Sequence, residues 1–227
     1  MEYALVSPQK GHFPETSHLT LLEQVHGLIP AGAQVVFLGD GEFDGVGLQD
    51  TIDAYGWRYV CRTAKNLILC QKDNEFAFET VPVEPGERFS LSQVTLRNQG
   101  YGPVRAIAWW DEGYAEPIYL LTNLAAVAEA CAWYRKRAQI ETFFSDQKSR
   151  GFNLHKSHLS EPHRLSRLMM AACLAYLWII YLGVLALGDK WRKFIHRTKR
   201  CDLSLFQLGL RLLDHLLNEG PRIPVAF

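Results

Sequence analysis

Apolar residues fall along this chain in three patterns: short solid runs, alternating stretches and one long unbroken block. The solid runs are Gln34–Leu38 (QVVFL), Trp57–Arg62 (WRYVCR) and Ile118–Leu121 (IYLL). They are rich in β-branched and aromatic residues and read as strands, the first of them buried and closed by Gly-rich turn chemistry. Between Asn66 and Glu116 the chain alternates in FAFETVPV, SLSQVTL and VRAIAWW, with Gly and Pro between the runs, which predicts twisted hairpins. Upstream, KGHFPETSHLTLLEQVHGLIP reads as a loop and then a helix carrying Leu19, Leu22, Val25 and Leu28, stopped by Pro30.

The stretch Trp133–Arg150 contains no Gly or Pro and is rich in helix formers, so it predicts one helix. At about 100° per residue, with Tyr134 as zero, Arg137 falls at roughly 300°, Glu141 at 340° and Lys148 at 320°. A phenol, two cations and a carboxylate then share a stripe only about 60° wide. Trp133, Ile140, Phe143 and Phe144 fill the adjoining sector as a core-facing side. The ordinary solvated face, with Arg135, Gln139, Thr142, Asp146 and Ser149, lies elsewhere. A polar stripe beside the apolar face suggests a cleft. The plainer alternative is a salt-bridged surface, in which Arg137 and Glu141 as an i,i+4 pair contribute about 0.2–0.5 kcal/mol.

Composition narrows the class without naming a chemistry. At 227 residues and 48% hydrophobic, the chain is the size of one domain with room for an insertion. Its five cysteines form no CxxC pair and are odd in number, which suits reduced core thiols in the cytosol. No signal peptide is visible at the N-terminus. The formal net charge is +0, yet Trp133–Arg167 holds eight Lys/Arg against three Asp/Glu, and Asp189–Arg200 adds six against one. A basic C-terminal half suits a phosphate backbone. His155, His158 and His163 invite a zinc reading, but no cysteine is near and Ser160-Glu161-Pro162 opens a helix among them, so they read as loop and helix N-terminus.

Leu168–Leu187 is twenty residues without a charge, which meets the length criterion for a transmembrane helix. Basic residues flank both ends, and Tyr176, Trp178 and Tyr181 sit mid-span, away from the positions of an interfacial belt. The expectation is therefore a central helix of a soluble core, with a single-pass protein through 168–187 as the minor alternative.

The spacing Y-x2-R-x3-E-x6-K, here Tyr134, Arg137, Glu141 and Lys148, resembles the signature of bacterial insertion-sequence DDE transposases of the "insertion sequence four" type. A second match lies upstream, where the 34–38 strand runs into Gly39-Asp40-Gly41-Glu42-Phe43-Asp44-Gly45. In that type the second catalytic aspartate closes such a strand in a D-x-x-x-D-G setting. The resemblance maps it onto Asp40, nearest the strand end, with Asp44 as the competing choice.

The resemblance implies an α/β fold: a ribonuclease-H-like catalytic domain over 1–227, with a β-rich insertion at 67–116 and C-terminal helices. It implies Asp40 and Glu141 as catalytic ligands of Mg²⁺ or Mn²⁺, both hard cations suited to oxygen donors. Two such ions clamp the attacking and leaving oxygens of an in-line phosphoryl transfer on DNA. Tyr134, Arg137 and Lys148 would hold phosphates of the transposon end, with Arg62 and Lys65 as weaker DNA contacts. Trp110, or its neighbour Trp109, is the candidate to stack on a flipped base. The implied partners are transposon-end and target DNA and a second transposase in a homodimeric synaptic complex, without a membrane. The implied location is the bacterial cytoplasm, at the nucleoid when bound to DNA.

One part of the family pattern is missing. A DDE site needs a first aspartate on an earlier strand, and upstream of Asp40 the acids are Glu2, Glu15 and Glu23 alone. YALVS at 3–7 resembles the family's third strand, so the expectation is an N-terminally incomplete transposase with no cleavage activity by itself. The alternative in a different class is a non-catalytic fragment that pairs with a full-length transposase, or occupies its DNA ends, and inhibits it.

Overall fold

The computed structural model describes residues 13–97, 100–148, 150–195, 203–220 and 223–224. The strand expected at 3–7 and the solvated Ser149 lie outside these residues. The chain divides into a unit running Gln9–Gln139 and another containing Ile140–Phe227.

The first unit is a seven-stranded sheet with helices on both faces. In chain order its elements are α1 (Glu15–Leu28), β1 (Val36–Gly39), α2 (Val46–Ala54), β2 (Arg58–Arg62), β3 (Ile68–Gln71), β4 (Asn74–Ala77), β5 (Arg88–Leu96), β6 (Tyr101–Trp109), β7 (Ile118–Thr122) and α3 (Val127–Lys136). The strand order is β1-β2-β7-β6-β5-β3-β4. β1 and β2 are parallel, joined by α2 as a crossover, and the remaining pairings are antiparallel. Alternation along β2 sorts the core: Tyr59 and Cys61 face Leu22 of α1 and Leu48 and Ile52 of α2. Val60 faces the other way, with Leu120, Trp109 and, on α3, Ala130, Cys131 and Tyr134.

Most of the predicted strands lie where the apolar runs placed them, shifted by a residue or two. FAFETVPV is the exception. It stays extended only to Ala77, turns through a short 3₁₀ segment at Phe78–Thr80, and then meets Pro82, which has no N–H to give a ladder. The long β5–β6 pair shifts register near Gln93, whose φ of 57° marks the bulge.

The single helix predicted over 133–150 is instead two. α3 ends at Lys136, Arg137 remains in the right-handed region, and α4 runs Ala138–Gln147. The Arg137 N–H bonds to the Tyr134 carbonyl at 3.0 Å, an i→i−3 bond that interrupts the α ladder without any Gly or Pro. α3 carries Tyr134 and α4 carries Glu141, with Arg137 between them and Lys148 past the end, so the shared 60° stripe of one continuous helix does not form.

The second unit holds most of α4, then α5 (Pro162–Ala186), α6 (Asp189–Ile195) and α7 (Leu205–Glu219). Glu161 caps α5, accepting the His163 and Arg164 N–H groups, with Pro162 in the first turn. His155 belongs to a 3₁₀ turn at Leu154–Ser157, and His158 follows it in a left-handed conformation. Ser204 and Gln207 form a capping box on α7. α5 packs on α7 through Ile179, Leu182, Ala186, Phe206, Leu212 and Leu216. The two backbones come close at glycines: a Cβ on Gly183 would collide with the Leu205 carbonyl, and one on Gly209 with the Ile179 carbonyl.

The expectation of a helix buried all round does not hold for α5. One edge is buried, while Met170, Leu174, Leu177 and Val184 are about half to two-thirds exposed, Leu174 at 65% and Leu177 at 64%. By length and composition alone, α5 is also the one described helix that could cross a membrane.

Candidate functional site

The C-terminal ends of parallel strands are where α/β sheets place their ligand chemistry, and β1 ends there at Gly39-Asp40. Gly39 is required by close packing: a Cβ would lie 2.7 Å from the Phe43 Cβ and 2.9 Å from the Cys61 Sγ. The turn that follows fixes Asp40. Its carbonyl accepts the Phe43 N–H at 3.0 Å, and its Oδ1 accepts the Glu42 N–H at 3.1 Å.

The other carboxylate oxygen, Oδ2, accepts a hydrogen bond from Arg137 Nη2 at 2.9 Å. The two side chains are partly buried, Asp40 41% and Arg137 22% exposed. Burial pushes the Asp40 carboxyl upward. The Arg137 hydrogen bond, the Glu42 N–H and the charges of Arg137 and Arg62 outweigh it, and the group ends below the ordinary range. Tyr134, near enough to feel the charges of Arg137 and Asp40, is buried at 7% exposed. Its phenol is raised by burial, which the Arg137 and Arg62 charges only partly offset, so it is a neutral hydroxyl at neutral pH.

Asp44, the competing aspartate, turns elsewhere and accepts the Thr63 hydroxyl at 3.1 Å. Arg62 closes β2. With Thr63, Lys65 and Gly41 it lines a cavity of about 260 Å³ bounded by Glu116 and Tyr119. A larger cavity, about 1240 Å³, lies at the opposite strand ends, among His26, Val36, Tyr55, Trp57 and Trp133, and neither Asp40 nor Arg137 lines it.

Trp109 is buried, with the Arg135 guanidinium 4.8 Å from its ring centroid. Trp110 is half-buried and donates its indole N–H to the Tyr114 carbonyl at 3.0 Å. In the second unit, Glu141 lies exposed on the first turn of α4, and Lys148 lies exposed just past its end. Nearby, Asp146 and Gln147 are buried, Asp146 accepting the Tyr176 hydroxyl at 3.4 Å.

Asp40 offers what a divalent cation needs from one ligand: an ionised, partly exposed carboxylate of hard oxygens. Among the described residues no three His, Cys, Asp or Glu side chains gather as a cation site. Before Asp40 the described acids are Glu15 and Glu23, both on α1, and Glu15 is committed to the Leu48 N–H at the start of α2, at 3.0 Å. Sequence patterning located Asp40 and Arg137 but missed Thr63, whose only signal is its place one residue past β2.

The family model for the transposase DDE domain matches residues 6–178, which span both Asp40 and the Tyr134–Lys148 motif. The chain belongs to that family. No curated protein matches it. Membership supports a role in DNA transposition, implies DNA as the substrate and brings a general use of divalent metals. The mixed α/β architecture, with its seven-stranded sheet, agrees with a DDE transposase domain.

Proposed function

We propose that this DDE transposase chain carries part of the catalytic site of an insertion-sequence transposase of the "insertion sequence four" type, acting on the phosphodiesters of transposon-end DNA. The observation that carries the reading is the Asp40–Arg137 pair. Two residues from separate motifs, 97 positions apart, meet at 2.9 Å beside a buried Tyr134.

Each side chain then has a role its chemistry suits. Asp40 and Glu141, each from its own motif, are the carboxylates that hold Mg²⁺ or Mn²⁺. Bound there, such cations would supply Lewis-acid stabilisation of the attacking and leaving oxygens of the phosphodiester. Arg137 presents a planar fork that fits a phosphate with two N–H donors, and Lys148 supplies a point charge. Tyr134, held neutral, donates its hydroxyl. Arg62 and Lys65, at the mouth of the small cavity, extend the basic track along the strand. Trp110 stacks on an unpaired base. The fold is ribonuclease-H-like, strands β3–β6 form the 67–116 insertion, and two chains assemble on DNA in the bacterial cytoplasm.

The described residues leave the first carboxylate of the triad unassigned. By itself the chain therefore binds DNA and does not cut it, which also suits a fragment that blocks a full-length transposase. The test is purified chain with supercoiled DNA and Mg²⁺, read for binding and for nicking. Binding without nicking is expected. Nicking that Asp40→Asn abolishes would overturn the incompleteness, and failure to bind DNA would overturn the transposase reading.

A further inference from the structure

The Asp40 carboxylate is engaged on both sides. Oδ1 accepts the Glu42 N–H, and Oδ2 accepts Arg137 at 2.9 Å. A hydrated divalent cation and a guanidinium compete for that oxygen, because the two cationic groups repel at such close quarters. The Nη2 group that Arg137 gives to Asp40 is one that a bidentate phosphate contact would use.

Neither exchange is favourable alone. A cation that displaced Arg137 would leave itself, Arg137 and Arg62 as three cationic groups around one partly buried carboxylate. A phosphate that drew Arg137 away would sit beside an uncompensated Asp40. Done together, the two exchanges keep the charge balanced. Mg²⁺ commonly keeps several waters and is held by one or two carboxylates plus substrate phosphates.

Resting on the proposed function, the geometry points to a latch: Arg137 holds Asp40 until a divalent cation and a DNA phosphate arrive together, the cation taking the carboxylate and the phosphate taking the guanidinium. The latch keeps the site from loading metal before DNA is present. Thermodynamic linkage makes it reciprocal, so DNA raises cation affinity by the same factor as the cation raises DNA affinity.

The test is Mn²⁺ binding, followed by the electron paramagnetic resonance signal of free Mn²⁺, with and without a short DNA duplex. Wild type should bind Mn²⁺ weakly alone and about 5-fold or more tightly with DNA present. Arg137→Gln should bind it about 5-fold more tightly than wild type without DNA, and gain less than about 2-fold from DNA. Arg58→Gln removes an exposed charge at the opposite end of β2, outside the proposed DNA track, so it should stay near wild type and keep the gain from DNA. Arg137→Lys, which keeps the charge and loses the fork, should fall between, and circular dichroism checks that each variant is folded.

The latch is overturned if Arg137→Gln binds Mn²⁺ no more tightly than wild type or Arg58→Gln, or if it keeps the full gain from DNA. Asp40→Asn separates the two levels. Loss of Mn²⁺ binding in Asp40→Asn alongside a silent Arg137→Gln sinks the latch alone. Unchanged binding in Asp40→Asn, or no binding by any form, sinks the assignment of Asp40 as a cation ligand and the latch with it.

Discussion

Asp40→Asn, Arg137→Gln and the double substitution form a cycle that measures a contact joining two distant motifs. Fully exposed ion pairs contribute about 0.2–1 kcal/mol, and hydrogen bonds to charged groups contribute about 1.5–3 kcal/mol. With Asp40 41% and Arg137 22% exposed, the pair lies between these limits. A coupling of about 1 kcal/mol is expected in urea unfolding near neutral pH and modest salt. The cycle is needed because each single substitution also removes the side chain's other interactions.

The coupling should depend on pH in a definite direction. The folded-state pKa of Asp40 lies below its ordinary value. Its stabilisation is therefore complete above the usual aspartate range near ~3.9 and is lost as pH falls through the lower folded value. Asp40→Asn should flatten that part of the acid limb. A coupling indistinguishable from zero at neutral pH, or an acid limb identical in wild type and Asp40→Asn, would refute the pairing.

Three further outcomes follow from the packing. Gly39→Ala forces a methyl against Phe43 and Cys61 and should cost about 1–3 kcal/mol in urea unfolding; a neutral effect would mean the strand end is loose. Leu212→Ala, at 0% exposure between α5 and α7, should cost about 2–5 kcal/mol, and a loss under 1 would contradict the buried α5–α7 contact. Leu177→Gln, on the exposed side of α5, should change stability by less than about 0.5 kcal/mol. Release of the wild-type chain from membranes by detergent alone would favour the single-pass alternative instead.

Much of the sheet was legible because β-branched runs bounded by turn residues have few other uses; β1, β2, β5, β6 and β7 all lie near their apolar patterns. The break at Arg137 was not legible, since an i→i−3 bond replaces the α ladder there without a breaking residue. The early start of α3 was hidden for a similar reason: Ala126, its N-cap, has no capping side chain. α7, not singled out from the sequence, opens on an S-x-x-Q capping box at Ser204 and Gln207. For α5, hydropathy measures how apolar a segment is and not how many of its sides are covered, so its exposed stripe could not be foreseen. Asp40 and Arg137 were each visible from their motifs. Their contact across 97 positions depends on β1 lying against β2 and on α3 crossing above both, which only the fold supplies.

The most direct measurement is DNA affinity at fixed saturating Mg²⁺ across a range of monovalent salt concentrations, by fluorescence anisotropy, for wild type and Arg137→Gln. If Arg137 reaches a DNA phosphate, the variant should bind more weakly on every sequence and lower the magnitude of the log–log salt slope by about 1. Identical affinities and slopes for the two proteins would show that Arg137 makes no phosphate contact and that this strand end is not where the phosphodiester binds.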